Sequence, residues 1–277
     1  MHILKQILNF YINSSIHVAL AVVAMTWVTL VQFEMEYNTT VLAFVFFATI
    51  TGYNFVKYFG VAKFHHRSLT VWLKAIQIFS FFAFLGMGCF ALQLNVNSLI
   101  CLSVFGFITF LYAIPLLPMR YFRDEKKNLR EVSGLKVYVI ALVWMFTTVF
   151  LPLIDNGFYI DANAVVTAVQ RFIFVIVLML PFEIRDLVFD SLKLATIPQR
   201  IGIKNTKIIG VLLLLAFFFL EYFKDEIKSV DIISNGVMLF VTLVFVLFAH
   251  KKQSKYYSAF WVEGLPILWL AVLLMLR

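Results

Sequence analysis

Three carboxylates stand at i, i+3 and i+7 in the segment Pro181-Phe182-Glu183-Ile184-Arg185-Asp186-Leu187-Val188-Phe189-Asp190. On a helix this spacing puts Glu183, Asp186 and Asp190 along one stripe. Like charges so placed repel unless a cation lies among them, and magnesium takes one or two carboxylates together with waters and phosphate oxygens. The stripe therefore suits a Mg²⁺-bridged diphosphate. It also suits a solvated helix end whose acids pair with Arg185 and Lys193, and spacing alone does not separate the two. His65 and His66 are adjacent, so on a helix they point about 100° apart and lack the i, i+4 geometry of paired ligands. They read as a wet loop pair, and His17 and His250 read as interfacial. Cys89 and Cys101 each lie in an apolar run, which provides neither a disulfide framework nor a zinc site.

The elements that must carry these residues are set by composition. Of 277 residues, 62% are hydrophobic and 14% charged, against about 45–50% and about 25% in soluble domains. Thirty-two phenylalanines exceed what the interior of one soluble domain can hide, so apolar surface must face lipid. A bilayer core of about 30 Å takes about 20 apolar residues per helical crossing. Nine such runs are present, at 16–33, 41–60, 71–92, 98–117, 136–154, 163–184, 207–223, 230–249 and 259–276. The expected fold is all-α: a polytopic membrane protein of nine transmembrane helices forming a single integral-membrane domain over residues 1–277. Residues 1–15 would form a short interfacial helix.

Charge placement orients the bundle, because Lys and Arg in short loops collect on the cytoplasmic side. Most of the 23 basic residues fall in alternate loops. Among them are Lys57, Lys63 and Arg67; Arg120, Arg123, Lys126 and Lys127; Arg185, Lys193 and Arg200; and Lys251, Lys252 and Lys255. The other side keeps only Lys224, Lys228 and Arg277, beside acids such as Glu34, Asp155 and Asp225. The N-terminus is therefore expected in the cytoplasm and the C-terminus on the opposite side. The net charge of +8 reads as topology with some attraction to anionic lipid, and no nucleic-acid partner is expected. Arg171 and Glu263 lie within or near spans and should face protein or water. They give a small transporter some support, but no repeat or paired broken helix accompanies them.

Glu183-Ile184-Arg185-Asp186-x-x-x-Asp190, followed by Thr196-Ile197-Pro198-Gln199-Arg200-Ile201-Gly202, resembles the second aspartate motif of UbiA-type intramembrane prenyltransferases. That family has nine transmembrane helices. Here the stretch from Asp190 to Thr196 is one residue shorter than in many members, and Leu194 replaces a customary glycine. Leu111-Tyr112-Ala113-Ile114-Pro115 through Arg120, with Gly134-Leu135-Lys136 and Val143-Trp144, is similar to the family's fourth-to-fifth helix connection, although Leu116 stands where many members carry lysine. The family's first motif, Asn-Asp-x-x-Asp-x-x-x-Asp, falls on Asn54 onward. Only the asparagine is kept: Phe55, Tyr58 and Ala62 occupy the aspartate positions.

The resemblance implies transfer of an isoprenoid from a prenyl diphosphate to a lipid-soluble or aromatic acceptor, with Mg²⁺ as cofactor. Asp186 and Asp190 would hold the metal, with Glu183 assisting. Tyr112, Arg120, Arg185 and Asn54 would contact diphosphate or acceptor. Lys57 follows Asn54 by three residues on the same helical face, where an ammonium can neutralise phosphate in place of the lost metal anchor. A lysine that merely marks topology is the competing reading. The alternative for the whole chain is a catalytically degenerate relative that binds an isoprenoid lipid without turnover.

Overall fold

The computed structural model describes residues 2–64, 71–113, 134–188 and 195–277, and every regular element among them is a helix. The first five are α1 (His2–Asn13), α2 (Ile16–Gln32), α3 (Thr39–Phe64), α4 (Val71–Ala91) and α5 (Val96–Ala113). Next come α6 (Leu135–Met145) and α7 (Leu151–Asp155), joined by a π turn at Phe146–Phe150 into one span. α8 (Ala162–Asp186), α9 (Ile197–Phe219), α10 (Ser229–Phe248) and α11 (Leu265–Leu276) complete the bundle, and a second π turn at Tyr257–Val262 leads into α11.

Seven spans are long and apolar enough to cross a membrane individually, and the pair α1–α2, bent by 57°, makes eight. The expected nine exceed that count by one. The difference is the run placed at 98–117, of which the described apolar part is Val96–Thr109. The remainder of that run, residues 114–117, lies outside the described residues.

α8 is an enclosed span: Phe174, Val177, Leu180 and Ile184 are all fully buried, and the helix packs against α6, α9 and α10. α2 is its counterpart, with Ala21, Met25 and Val28 packed against α3 and α11. α4 turns the other way, leaving Phe82 63% exposed beside Ile78, Phe81 and Phe84, which suits a face in contact with acyl chains. Between helices in lipid the hydrophobic drive is weak, so close packing and polar contacts hold the bundle. Arg171 on α8 faces protein as expected, donating to Met25 O at 2.8 Å and Thr29 Oγ1 at 3.3 Å and lying over the Trp269 ring at 4.9 Å. At the end of the bundle where α7 stops, Asp155 accepts from Asn95 N, Ser98 Oγ and Asn38 Nδ2 at 2.9–3.2 Å and ties three loops together.

The elbow between α1 and α2 positions the other end. Ser15 has a positive φ of 67°, a conformation that costs a non-glycine residue roughly 1–2 kcal/mol. Asn54 on α3 offsets this. Its Oδ1 accepts from Ser15 Oγ at 2.8 Å, while its Nδ2 donates to Ser14 O at 2.9 Å and Ser80 Oγ at 2.8 Å. Tyr58 Oη donates to Asn13 O at 3.0 Å, so α3 fixes the end of α1 as well.

Candidate functional site

The elbow, α3, α4, α5, α6, α8 and the chain between α10 and α11 surround a cavity of about 1480 Å³. Its walls are largely apolar and aromatic, including Phe44, Tyr53, Phe55, Phe105, Trp144 and Phe182. Trp144 Nε1 donates to Tyr53 Oη at 2.8 Å, which joins α6 to α3 across the wall. Charge gathers in one part of the lining: Lys57 from α3, Lys136 from α6, Arg185 and Asp186 from α8, and Lys251, Lys252, Lys255 and Glu263 from the last connection and its π turn.

The end of α8 is a small ion-pair network. Glu183 is buried and takes Lys136 Nζ at 3.2 Å. Lys136 also lies 4.0 Å from Asp186, which is held by Arg185 at 2.7 Å. Arg185 donates from a terminal guanidinium nitrogen to Ser258 Oγ at 2.9 Å and sits 5.3 Å from the Phe182 ring. Pro181 lies inside α8, and its carbonyl accepts Gln253 Nε2 at 2.8 Å, binding the last connection to this helix. On α3, Lys57 Nζ donates to Ser15 Oγ at 2.8 Å.

Of the residues singled out in the sequence, Lys57, Arg185 and Asp186 line the common cavity. Glu183 sits behind them, joined through Lys136. Asn54 is buried in the elbow and all three of its hydrogen bonds stay within the protein. Asp190, Arg120, His65 and His66 lie outside the described residues, and of Tyr112 only the backbone, in α5, is described. Where the resemblance calls for acids, Phe55 is part of the apolar wall and Tyr58 pins α1. His17, expected at an interface, is buried instead. Its Nδ1 meets Tyr11 Oη at 2.9 Å and its Nε2 meets Phe260 O at 2.8 Å. Position along a span gave no warning of this, because Phe260 reaches the ring from the second π turn, 243 positions along the chain.

The sequence reading did not assign Lys251, Lys252, Lys255 and Glu263 to the site. The three lysines read as topology, and the only signal from Glu263 was an acid beside an apolar run. As for Mg²⁺, the carboxylates that line the cavity are Asp186, already paired with Arg185, and Glu263. Among the described residues no three His, Cys, Asp or Glu side chains cluster to hold a metal, so these residues by themselves do not make a magnesium site.

An apolar cavity with a charged patch, set in a lipid-facing bundle, defines a class of intramembrane protein suited to an amphiphile with an anionic head. Comparison with solved structures specifies the fold further. The whole chain is similar to digeranylgeranylglyceryl phosphate synthase, with 97% of that chain covered, a TM-score of 0.57 and 13% sequence identity. A UbiA homolog from Archaeoglobus fulgidus is similar at a TM-score of 0.46 and 12% identity, over 96% of this chain and 95% of that one. At 13% identity the likeness to the synthase shows the fold alone, and that fold is the UbiA-like helical bundle expected from the sequence. No family model and no curated protein matches the sequence.

Proposed function

We propose that this protein is a membrane prenyltransferase that takes an isoprenoid from a prenyl diphosphate and transfers it to a lipid-soluble or aromatic acceptor. The observation that carries this reading is the cavity: about 1480 Å³ of largely apolar space whose charged lining joins cations from α3, α6, α8 and the last connection. The UbiA-like fold supports it. In this reading Lys57, Lys136 and Arg185 neutralise the diphosphate as the carbon–oxygen bond breaks, a stabilisation that grows as charge develops on the leaving group. Tyr53, Trp144 and Phe105 form an aromatic wall that excludes water from the allylic cation, and aromatic rings stabilise positive charge. Tyr112 and Arg120 would add diphosphate contacts, and Asp186 with Asp190 would hold Mg²⁺, both by resemblance. Bound metal would supply further neutralisation of the leaving group.

A second reading, an isoprenoid-binding protein without turnover, is favoured by Phe55 and Tyr58 at positions where the resemblance calls for acids. One experiment separates the two. Purified protein in lipid nanodiscs is incubated with labelled prenyl diphosphates of several chain lengths and a panel of lipid alcohols and phenolic acceptors, with Mg²⁺ or with EDTA. Prenylated product is the expected result. Saturable binding without product selects the second reading, and neither binding nor product overturns both.

A further inference from the structure

Among the described residues, Glu263 is the one carboxylate of the cavity lining that the ion-pair network at the end of α8 does not use. It lines the cavity immediately after the π turn Tyr257–Val262, and no described residue hydrogen-bonds its carboxylate or pairs with it as a salt bridge. The charged and titratable groups facing it are Tyr11 on α1, Lys57 on α3 and Arg185 on α8. A further titratable group, His17 on α2, lies beside the next residue: its ring would stand 3.4 Å from a Cβ at Gly264. Asp186 and Glu183, in contrast, already have Arg185 and Lys136 at 2.7 and 3.2 Å. A π turn adds one residue to a helical turn and re-aims the side chains around it, a device that recurs at functional sites. Here it immediately precedes a carboxylate that lines the same cavity as Lys57 and Arg185.

We propose that Glu263 is the proton acceptor of the transfer reaction, an inference that rests on the prenyl-transfer reading. The bond between the terminal prenyl carbon and the diphosphate oxygen breaks, and its electron pair leaves on the diphosphate. The acceptor's nucleophilic carbon or oxygen bonds to that prenyl carbon, and its proton passes to a Glu263 oxygen and from there to water. A general base has to be free to take a proton, a condition Glu263 meets and the paired Asp186 does not. The inference also narrows the acceptor class: it must carry a removable proton on the atom attacked, as a lipid alcohol, a phenol or an electron-rich aromatic ring does.

The test uses full-length protein in nanodiscs and three readouts. These are transfer to an acceptor, hydrolysis of the prenyl diphosphate without acceptor, and binding of an unreactive prenyl thiolodiphosphate. Glu263→Gln is expected to lower transfer by about 10²–10⁴-fold while the unreactive analogue still binds, and to remove the fall in transfer rate at acid pH that a carboxylate base predicts for the wild type. Glu263→Asp keeps a carboxylate and should transfer faster than the Gln variant. Transfer by Glu263→Gln at the wild-type rate overturns the inference alone. A parallel fall in transfer, hydrolysis and binding also overturns it, since the residue would then be structural. A wild type that neither transfers nor hydrolyses overturns the prenyl-transfer reading and this inference with it.

Discussion

Asn54 and Lys57 stand one helical turn apart and do different work. The amide of Asn54 is spent on Ser14, Ser15 and Ser80, so Asn54→Ala should destabilise the folded protein by roughly 1–3 kcal/mol, the cost of leaving buried polar partners unmade. Thermal unfolding in detergent checks this. A variant of unchanged stability that binds prenyl diphosphate less well would make Asn54 a ligand contact instead. Lys57 opens into the cavity, with a single hydrogen bond to Ser15 Oγ. Lys57→Ala should therefore weaken prenyl diphosphate binding by roughly tenfold to a hundredfold, as expected when one charge-assisted contact worth about 1.5–3 kcal/mol is lost. A dissociation constant equal to the wild type's would leave Lys57 a topology charge. The sequence made Lys57, Arg185 and Asp186 legible because motif spacing along one helix survives folding. It could not reveal Glu263 or the lysines at 251, 252 and 255, which meet α3 and α8 only through packing between chain segments far apart in sequence.

At the scale of elements, apolar run length located nearly all the helices, and what the runs left out were the bends. Nothing in the composition of 14–15 announces a left-handed serine, since Asn54 and Ser80, which stabilise the elbow, lie on other helices. Gly202, expected at the opening of a helix after Thr196 and Pro198, does bend α9 there, with φ of 79°. The π turn before α11 is supported by a contact no spacing rule contains: His17 Nε2 reaches Phe260 O at 2.8 Å, an oxygen that also accepts Gly264 N at 2.9 Å. A Cβ at position 264 would stand 2.8 Å from that carbonyl. Gly264→Ala should therefore cost about 1–3 kcal/mol through forced backbone movement. Gly88→Ala in α4, where an added Cβ meets nothing within 4 Å, should gain about 0.5–1 kcal/mol from helix propensity. Unfolding midpoints of the two variants should move in opposite directions, and a neutral Gly264→Ala would show that the π turn has room to relax.

The whole molecule has two unlike ends. One is basic and borders the cavity. The other is closed by neutral and acidic contacts, among them Asp155 with its three donors and the Glu34–Lys228 pair at 2.7 Å. Lys228 donates to Glu34 and its charge holds that carboxyl below the ordinary carboxylate range. A pKa lowered on folding adds stability that is present above the unfolded value and is lost as pH falls through the folded one. The unfolding midpoints of wild type and Lys228→Met should thus differ at neutral pH and converge in acid. High salt should shrink the gap for so exposed a pair. If the midpoints keep the same separation in acid, the pair contributes nothing through Glu34.

The same division of charge sets the orientation we expect in a membrane. Lys251, Lys252 and Lys255 share the cavity lining with Lys57, Lys136 and Arg185, so the basic loops identified in the sequence converge at the cavity. Moving so many Lys and Arg across a bilayer during insertion is unfavourable, so that end is the one expected to face the cytoplasm. Lys224 and Asp225 lie beyond the other end of α9, one crossing away from the chain that begins α9 near Arg200. With Cys89 and Cys101 replaced by alanine to remove background labelling, a single cysteine at 252 should react with an impermeant maleimide only when the cytoplasmic face is open. A single cysteine at 225 should react only from the other face. Reaction of both from one side would mean an even number of crossings between positions 225 and 252, which a continuous α10 at Ser229–Phe248 does not permit, and the bundle would then lie in the membrane along a different axis. Reaction of 252 from the outer face with 225 protected would keep the bundle and invert it, putting the cavity's basic end outside the cytoplasm.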